Sequence, residues 1–293
     1  MKAITRSAVC ALYKYSGGLF AQEMLARLRG RSFAAVLLFH RVTDEIPPDG
    51  LTVTTACFRA VCRMLRRNFR VVPLAEVFRL VRERRPVPRR TVAITFDDSY
   101  RDNLDAARVL AEHGLPACFF IPTGYVGTDR VFPWDAHLPR LANLTWDDVR
   151  EMAGLGFEIG SHTVYHPDMA RIPLDEARRE LVESKRTLEE KVGKPVRYFA
   201  YPFGGREHFA GDRLTLVYEA GYEGCVSAFG GFVRPGGGDA ILPREAAPYF
   251  RSALHLELHL SGGLHWLYDL KRSLLPPRQP ASAPPREEAV AGS

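Results

Sequence analysis

The sequence lacks the cysteine spacing of a disulfide framework or a cysteine-zinc site: Cys10, Cys57, Cys62, Cys118 and Cys225 are odd in number, scattered, and nowhere arranged as CxxC. They read as reduced, mostly buried thiols. No apolar run approaches the roughly 18 residues that a membrane-spanning helix needs. A clean secretory leader is missing too, because the stretch after Lys2 and Arg6 is broken by Tyr13, Lys14 and the pair Gly17-Gly18. A cytoplasmic protein, or one peripheral to the inner membrane, is therefore expected. The net charge of +6 and pI near 9.1 come without any nucleic-acid recognition motif, so no nucleic-acid partner is expected, and nothing points to a protein partner.

What is present is 46% hydrophobic content in 293 residues, enough for one substantial core of barrel size. Residues 1–32 read as a basic amphipathic segment, with Leu12, Leu19, Phe20, Met24, Leu25 and Leu28 among Lys14, Arg27, Arg29 and Arg31. That pattern suits a helix packed outside the main domain or a peripheral contact with a membrane surface. The main domain spans 33–253. A helical segment follows over 254–275, and then a Pro/Ala/Ser tail over 276–293 that is too poor in apolar residues to fold.

Within 33–253, short apolar runs alternate with helical periodicity. The runs are 34–39, Val71-Val72, 92–96, 117–121, 157–160, 197–201 and 224–227. Helices are expected near 57–68, 74–85, 101–113, 146–155, 174–192 and 212–220, the fourth opened by a capping box of Thr145 and Asp148. Repeated strand-helix units imply a parallel sheet, and uniformly apolar strands imply burial on both faces. The expected fold is α/β, a closed or nearly closed β/α barrel of parallel strands with outer helices; an open doubly wound sheet is the alternative.

In such a barrel, side chains that act on a substrate sit just past the C-terminal ends of strands. Three strand ends carry suitable chemistry. Thr95-Phe-Asp-Asp-Ser-Tyr100 places two carboxylates together, and their mutual repulsion favours a bound cation or a division of roles over simple helix capping. Gly160-Ser-His-Thr-Val-Tyr-His166 sets His162 and His166 four apart, so one helical turn would aim both imidazoles at one ion. Asp98, His162 and His166 then form a metal set with open positions, and Asp97 is left as general base. Phe199-Ala-Tyr-Pro-Phe-Gly-Gly205 is a tight turn whose N–H groups can face an oxyanion, a weak signal on its own.

Thr-Phe-Asp-Asp followed by His-Thr-x-x-His resembles the polysaccharide deacetylase family, the NodB-homology domain of carbohydrate esterase family 4, over Ala34 to Glu245. The likeness to His-Arg-Val at His40 points to the branch found in exopolysaccharide loci. The resemblance implies a distorted (β/α)7 barrel, with seven rather than eight strands, and a divalent metal on Asp98, His162 and His166. Zinc is the first choice, with cobalt, nickel or manganese as alternatives. It also implies Asp97 as base, an oxyanion N–H from Phe203, and hydrolysis of N-acetyl groups on the hexosamine units of a glycan.

The sequence departs from that pattern in three places. Ala200 stands where the family commonly has an arginine paired with the base, and Arg244 in Leu242-Pro-Arg-Glu245 is the expected replacement. Ser99 stands where a glycine is usual. The family's Leu-x-x-His, source of the general acid, is spelled by Leu256-Glu-Leu-His259 beyond the barrel; His40, directly after the first strand, is preferred as acid or substrate ligand, against a reading in which it merely closes the barrel. Tyr100, Tyr165, Tyr201 and Trp134 are candidates to stack on sugar faces, or else packing residues. Two other functions compete with polymer deacetylation: deacetylation of a lipid-linked sugar or small amide, and glycan binding by a decayed site.

Overall fold

Six consecutive apolar residues, Ala34–Phe39, form β1, and all six are buried. Their alternation explains the uniform pattern. Ala34 and Val36 point into one core cluster, and Ala35, Leu37 and Phe39 into another. The same period of two recurs in Val92, Ile94 and Phe96 against Ala93, and in Phe119 and Ile121 against Cys118 and Phe120. One cluster is the barrel interior and the other lies between the strands and the outer helices.

The computed structural model describes residues 16–17, 33–209, 211–234, 241–250 and 252–262. The expected amphipathic segment 1–32 (save 16–17), the remainder of the 254–275 segment and the tail lie outside them. In chain order the elements are β1, β2 (Arg41–Val42), β3 (Thr52–Val53), α1 (Thr55–Asn68), β4 (Arg70–Val71), α2 (Leu74–Arg82), β5 (Thr91–Phe96), α3 (Asp102–Glu112) and β6 (Cys118–Ile121). Then follow α4 (Trp146–Gly154), β7 (Glu158–Ser161), α5 (Leu174–Val192), β8 (Tyr198–Ala200), α6 (Gly211–Glu219), β9 (Gly224–Val226), β10 (Ile241–Leu242), β11 (Glu245–Ala246) and α7 (Ala253–Leu260). The capping box at α4 is present, with the Thr145 hydroxyl accepting from the Asp148 N–H and the Asp148 carboxylate from the Thr145 N–H.

All strand pairings in the main sheet are parallel, in the order β10-β9-β8-β7-β6-β5-β1-β11. Because β10 and β11 are parts of one segment, 241–246, that segment joins the two ends of the sheet and serves as the seventh stave. Its break at Pro243-Arg244 is the distortion of the ring. Val71-Val72, expected as a strand of equal rank, contributes only the two-residue β4 against the start of β5. The chain there turns at once into α2, whose Leu74, Val77 and Phe78 enter the interior cluster and plug the barrel at the N-terminal ends of the strands. Phe78 stacks on Tyr198 with centroids 4.6 Å apart, and a Cβ at Gly224 would lie 2.3 Å from its ring. Truncating such a buried aromatic costs about 3–5 kcal/mol.

Candidate active site

The opposite, C-terminal end of the barrel gathers the chemistry. Asp97 and Asp98 leave β5, His162 leaves β7, and His166 returns on the loop beyond it; all four are buried. The Nε2 atoms of His162 and His166 each lie 3.5 Å from Asp98 Oδ1. Ligand atoms of the three side chains all fall within 4.8 Å of one another. Asp98 Oδ1 is buried without a hydrogen bond. Donors about 2.0–2.2 Å from a tetrahedral ion sit roughly 3.3 Å apart, so these gaps fit an ion better than direct hydrogen bonds. Burial pushes the Asp98 carboxyl up, but His162, His166 and His40 outweigh it and hold it ionised far below the usual range. The residues therefore fit a divalent metal.

The histidines do not converge by the expected helical turn. Thr163 and His166 take left-handed backbone, φ 68 and 56, and the loop is held from within and below. The Thr163 hydroxyl accepts the His166 N–H at 2.9 Å, while the buried Glu180 of α5 accepts the N–H groups of Val164 and Tyr165 at 2.6 and 3.0 Å. The Ala200 carbonyl lies 2.8 Å from His162 Nδ1, which fixes the ring and leaves Nε2 facing Asp98. Burial lowers His166 to about 3, with His162 adding to the effect, whereas Asp97 and Asp98 overcome burial at His162 and raise it.

Arg244 stands at the break in the seventh stave, fully buried. Its two terminal nitrogens donate to both oxygens of Asp97 at 2.7 Å, and its Nε donates to the Ser227 carbonyl. Burial alone would raise Asp97; Arg244 foremost, then His162 and His40, bring it below the ordinary carboxylate value. The substitution of alanine at 200 is thereby matched by an arginine arriving from another strand end.

His40 follows β1, with its Nδ1 buried and without a hydrogen bond, and its pKa is lowered by burial against the pull of Asp98 and Asp97. Asn103 Nδ2 donates to its carbonyl at 2.6 Å. Phe203, at φ 61, is about half exposed, its ring 4.9 Å from that of His166 and 5.8 Å from Trp134. Gly204 next to it, at φ 58, admits no side chain, since a Cβ would lie 2.5 Å from the Ala228 nitrogen. Asp98 and Ser99 are also left-handed, φ 74 and 55, which explains why a glycine suits position 99. Five of the seven described non-glycine residues with positive φ thus lie at this one site, each costing about 1–2 kcal/mol.

For two of the four aromatic candidates the packing reading holds and the stacking reading falls. Tyr100 and Tyr201 are 2% and 1% exposed, so neither offers a face to a sugar. Tyr100 instead donates to Asp135 at 2.5 Å, and Asp135 also accepts from the buried Arg41. Trp134 is half-buried against Phe132, and Tyr165 is exposed beneath Arg130. His259 is buried on α7, 3.3 Å from Glu245, and does not reach the aspartates. Glu180 and Asp135 were not anticipated. Glu180 could have been found as the one acid on the buried stripe of Ala177, Leu181, Ser184 and Leu188; Asp135, in an irregular loop, gave no such signal.

A parallel barrel with two aspartates and two histidines gathered at its C-terminal end has the arrangement of a candidate metal-dependent hydrolytic site. The polysaccharide deacetylase family model matches residues 84–224 of this chain. It is 30% identical to the chitooligosaccharide deacetylase of Sinorhizobium fredii over 134 residues, 45% of this chain and 54% of that protein. The chain spans about half to three-fifths of the curated relatives that it matches first. In fold it is similar to the Streptococcus pyogenes deacetylase PplD solved with acetate (TM-score 0.67, 22% identity, 78% of this chain and 99% of that one). It is also similar to IcaB from Ammonifex degensii (TM-score 0.63, 23% identity, 74% and 92%).

Proposed function

We propose that this chain removes N-acetyl groups from hexosamine units of a polysaccharide, with Asp98, His162 and His166 holding a divalent ion, zinc before cobalt, nickel or manganese. The observation that carries the reading is the buried Asp98 oxygen that makes no hydrogen bond yet faces two histidine nitrogens at 3.5 Å. When bound, such an ion supplies Lewis-acid polarisation and brings a water toward a pKa of about 7. Asp97, kept ionised by Arg244, takes the proton of the attacking water. The Phe203 N–H, presented by the left-handed turn before Gly204, donates to the developing oxyanion. His40 is the candidate donor of the proton that the leaving amine needs; because its pKa is lowered, the ring starts neutral and has to take that proton up from the water that Asp97 deprotonates. Trp134, Phe203 and Tyr165 border the mouth, where a sugar ring can lie against them.

The test is acetate release from N-acetylglucosamine oligomers by the purified protein, after chelation and again after adding zinc or cobalt. Metal-restored release that is lost in Asp97→Asn is expected. Stoichiometric metal with no release from any acetylated sugar would refute the enzymatic reading and favour a binding role.

A further inference from the structure

The basic charge of this chain is not spread over it. Residues 59–90 hold eleven arginines and two glutamates, whereas all other residues together hold 29 basic and 32 acidic side chains. An arginine-rich composition alone would not produce that polarity. The segment comprises most of α1, then β4, α2 and the loop into β5.

The fold places this charge at one end of the barrel. Arg70 pairs with Thr91, the first residue of β5. The first two N–H groups of α2, on Leu74 and Ala75, donate to Glu158, the first residue of β7, and Arg82 reaches Glu223, just before β9. All these contacts are with N-terminal strand ends, so α2 lies across the floor of the barrel and its outer face looks away from the aspartates. Arg63, Arg66, Arg67, Arg82, Arg84 and Arg85 are exposed on or beside that floor. Four of these, Arg63, Arg66, Arg67 and Arg84, have no acidic partner among the described residues.

We propose that this arginine floor docks on an anionic phospholipid surface, with the catalytic mouth turned to the aqueous side. Two further observations favour a bilayer over a nucleic acid or soluble polyanion. The exposed arginines are not interleaved with exposed aromatic side chains on which bases could stack. The residues preceding β1 are themselves basic and apolar, and they join the barrel beside Ala34, which pairs with Thr91 at the same end. A strand the length of β5 is about 20 Å long, so the mouth stands at least that far from the lipid headgroups. That distance favours a polymer in solution over a lipid-linked sugar. The docking itself does not rest on the deacetylase reading.

The experiment is co-sedimentation of the full chain with phosphatidylcholine vesicles and with vesicles containing phosphatidylglycerol, over a range of salt. Binding only to the anionic vesicles, weakening as salt rises, is expected. The variant Arg66→Glu, Arg67→Glu, Arg84→Glu, Arg85→Glu should bind about a hundredfold or more weakly. The corresponding glutamine variant should fall between, and both should keep the far-ultraviolet circular dichroism and the Tm of the unchanged chain, which shows that they fold. Unchanged binding by the glutamate variant, equal binding to neutral vesicles, or equally tight capture by polyphosphate would each overturn the proposal.

Discussion

Replacing Arg244 with methionine keeps much of the side-chain volume and removes the charge that faces Asp97 in the barrel interior. Two 2.7 Å bonds and the pairing of a fully buried guanidinium with a buried carboxylate are lost together. Breaking a buried pair from one side costs about 3–5 kcal/mol, because the remaining charge has no partner. The carboxyl then responds to burial, the largest influence on it and one that acts upward. A lost arginine partner corresponds to roughly 1–3 pKa units. In the wild type the depressed pKa contributes stability that is present above the unfolded value of 3.8 and lost as pH falls through the folded one. In the variant the sign reverses: the carboxyl prefers to be protonated, so the deficit is greatest at neutral pH and narrows toward pH 4. Thermal unfolding from pH 4 to 8 reads the gap, and the acidic limb of kcat/KM for acetate release should move up by about 1–3 pH units. A gap in Tm that does not change with pH, together with an unmoved acidic limb in metal-loaded enzyme, would refute the claim that Arg244 keeps Asp97 ionised.

Metal affinity should fall by about tenfold per pH unit below the raised pKa of His162, since that ring must lose a proton to become a ligand while His166, lowered to about 3, is already neutral; calorimetry in buffers of different ionisation enthalpy should show proton release that approaches one below that pKa and vanishes above it. Glu180→Gln removes the carboxylate that accepts two loop N–H groups, and should weaken zinc binding about 10–100-fold in a competition titration while leaving the far-ultraviolet circular dichroism unchanged. Gly204→Ala introduces a Cβ where the Ala228 backbone already lies, at φ 58, and should lower kcat more than it changes KM by displacing the Phe203 N–H.

The strands and helices that position the site were legible because both have a clear period. Apolar runs such as Ala34–Phe39 and helices such as Leu174–Val192 are found close to where the residues put them. The seventh stave was hidden because Pro243 and Arg244 split it into two-residue pieces too short to show alternation. Val71-Val72 misled for the opposite reason: two β-branched residues suggested a stave where the chain was turning to plug the floor. At the site, residue types and spacing picked out Asp97, Asp98, His162 and His166, which the fold brings together. They could not indicate the loop conformation, because His162 and His166 converge through left-handed residues and a glutamate fourteen residues farther along the chain. Tyr100 and Tyr201 illustrate the same limit, since a tyrosine near a strand end reads alike whether its ring faces water or the core.

The pairing of Asp97 with Arg244 follows from burial. A carboxylate inside the barrel needs a guanidinium within hydrogen-bond reach to stay ionised, and the interior is bounded by strand ends spaced about 4.8 Å apart around a closed ring. Several strand ends can therefore deliver the same charge to the same carboxylate, provided that the donor strand opens enough to admit a long side chain. β8 is regular through Ala200, uses its carbonyl to orient His162 and presents only a methyl group to the interior. The interrupted stave has no such duty. Its break at Pro243-Arg244 gives the arginine room over the Phe120 ring, 5.4 Å away, and lets Nε satisfy the Ser227 carbonyl that the interruption leaves inside. The distortion of the ring and the ionised state of Asp97 are thus two consequences of one local feature of the chain.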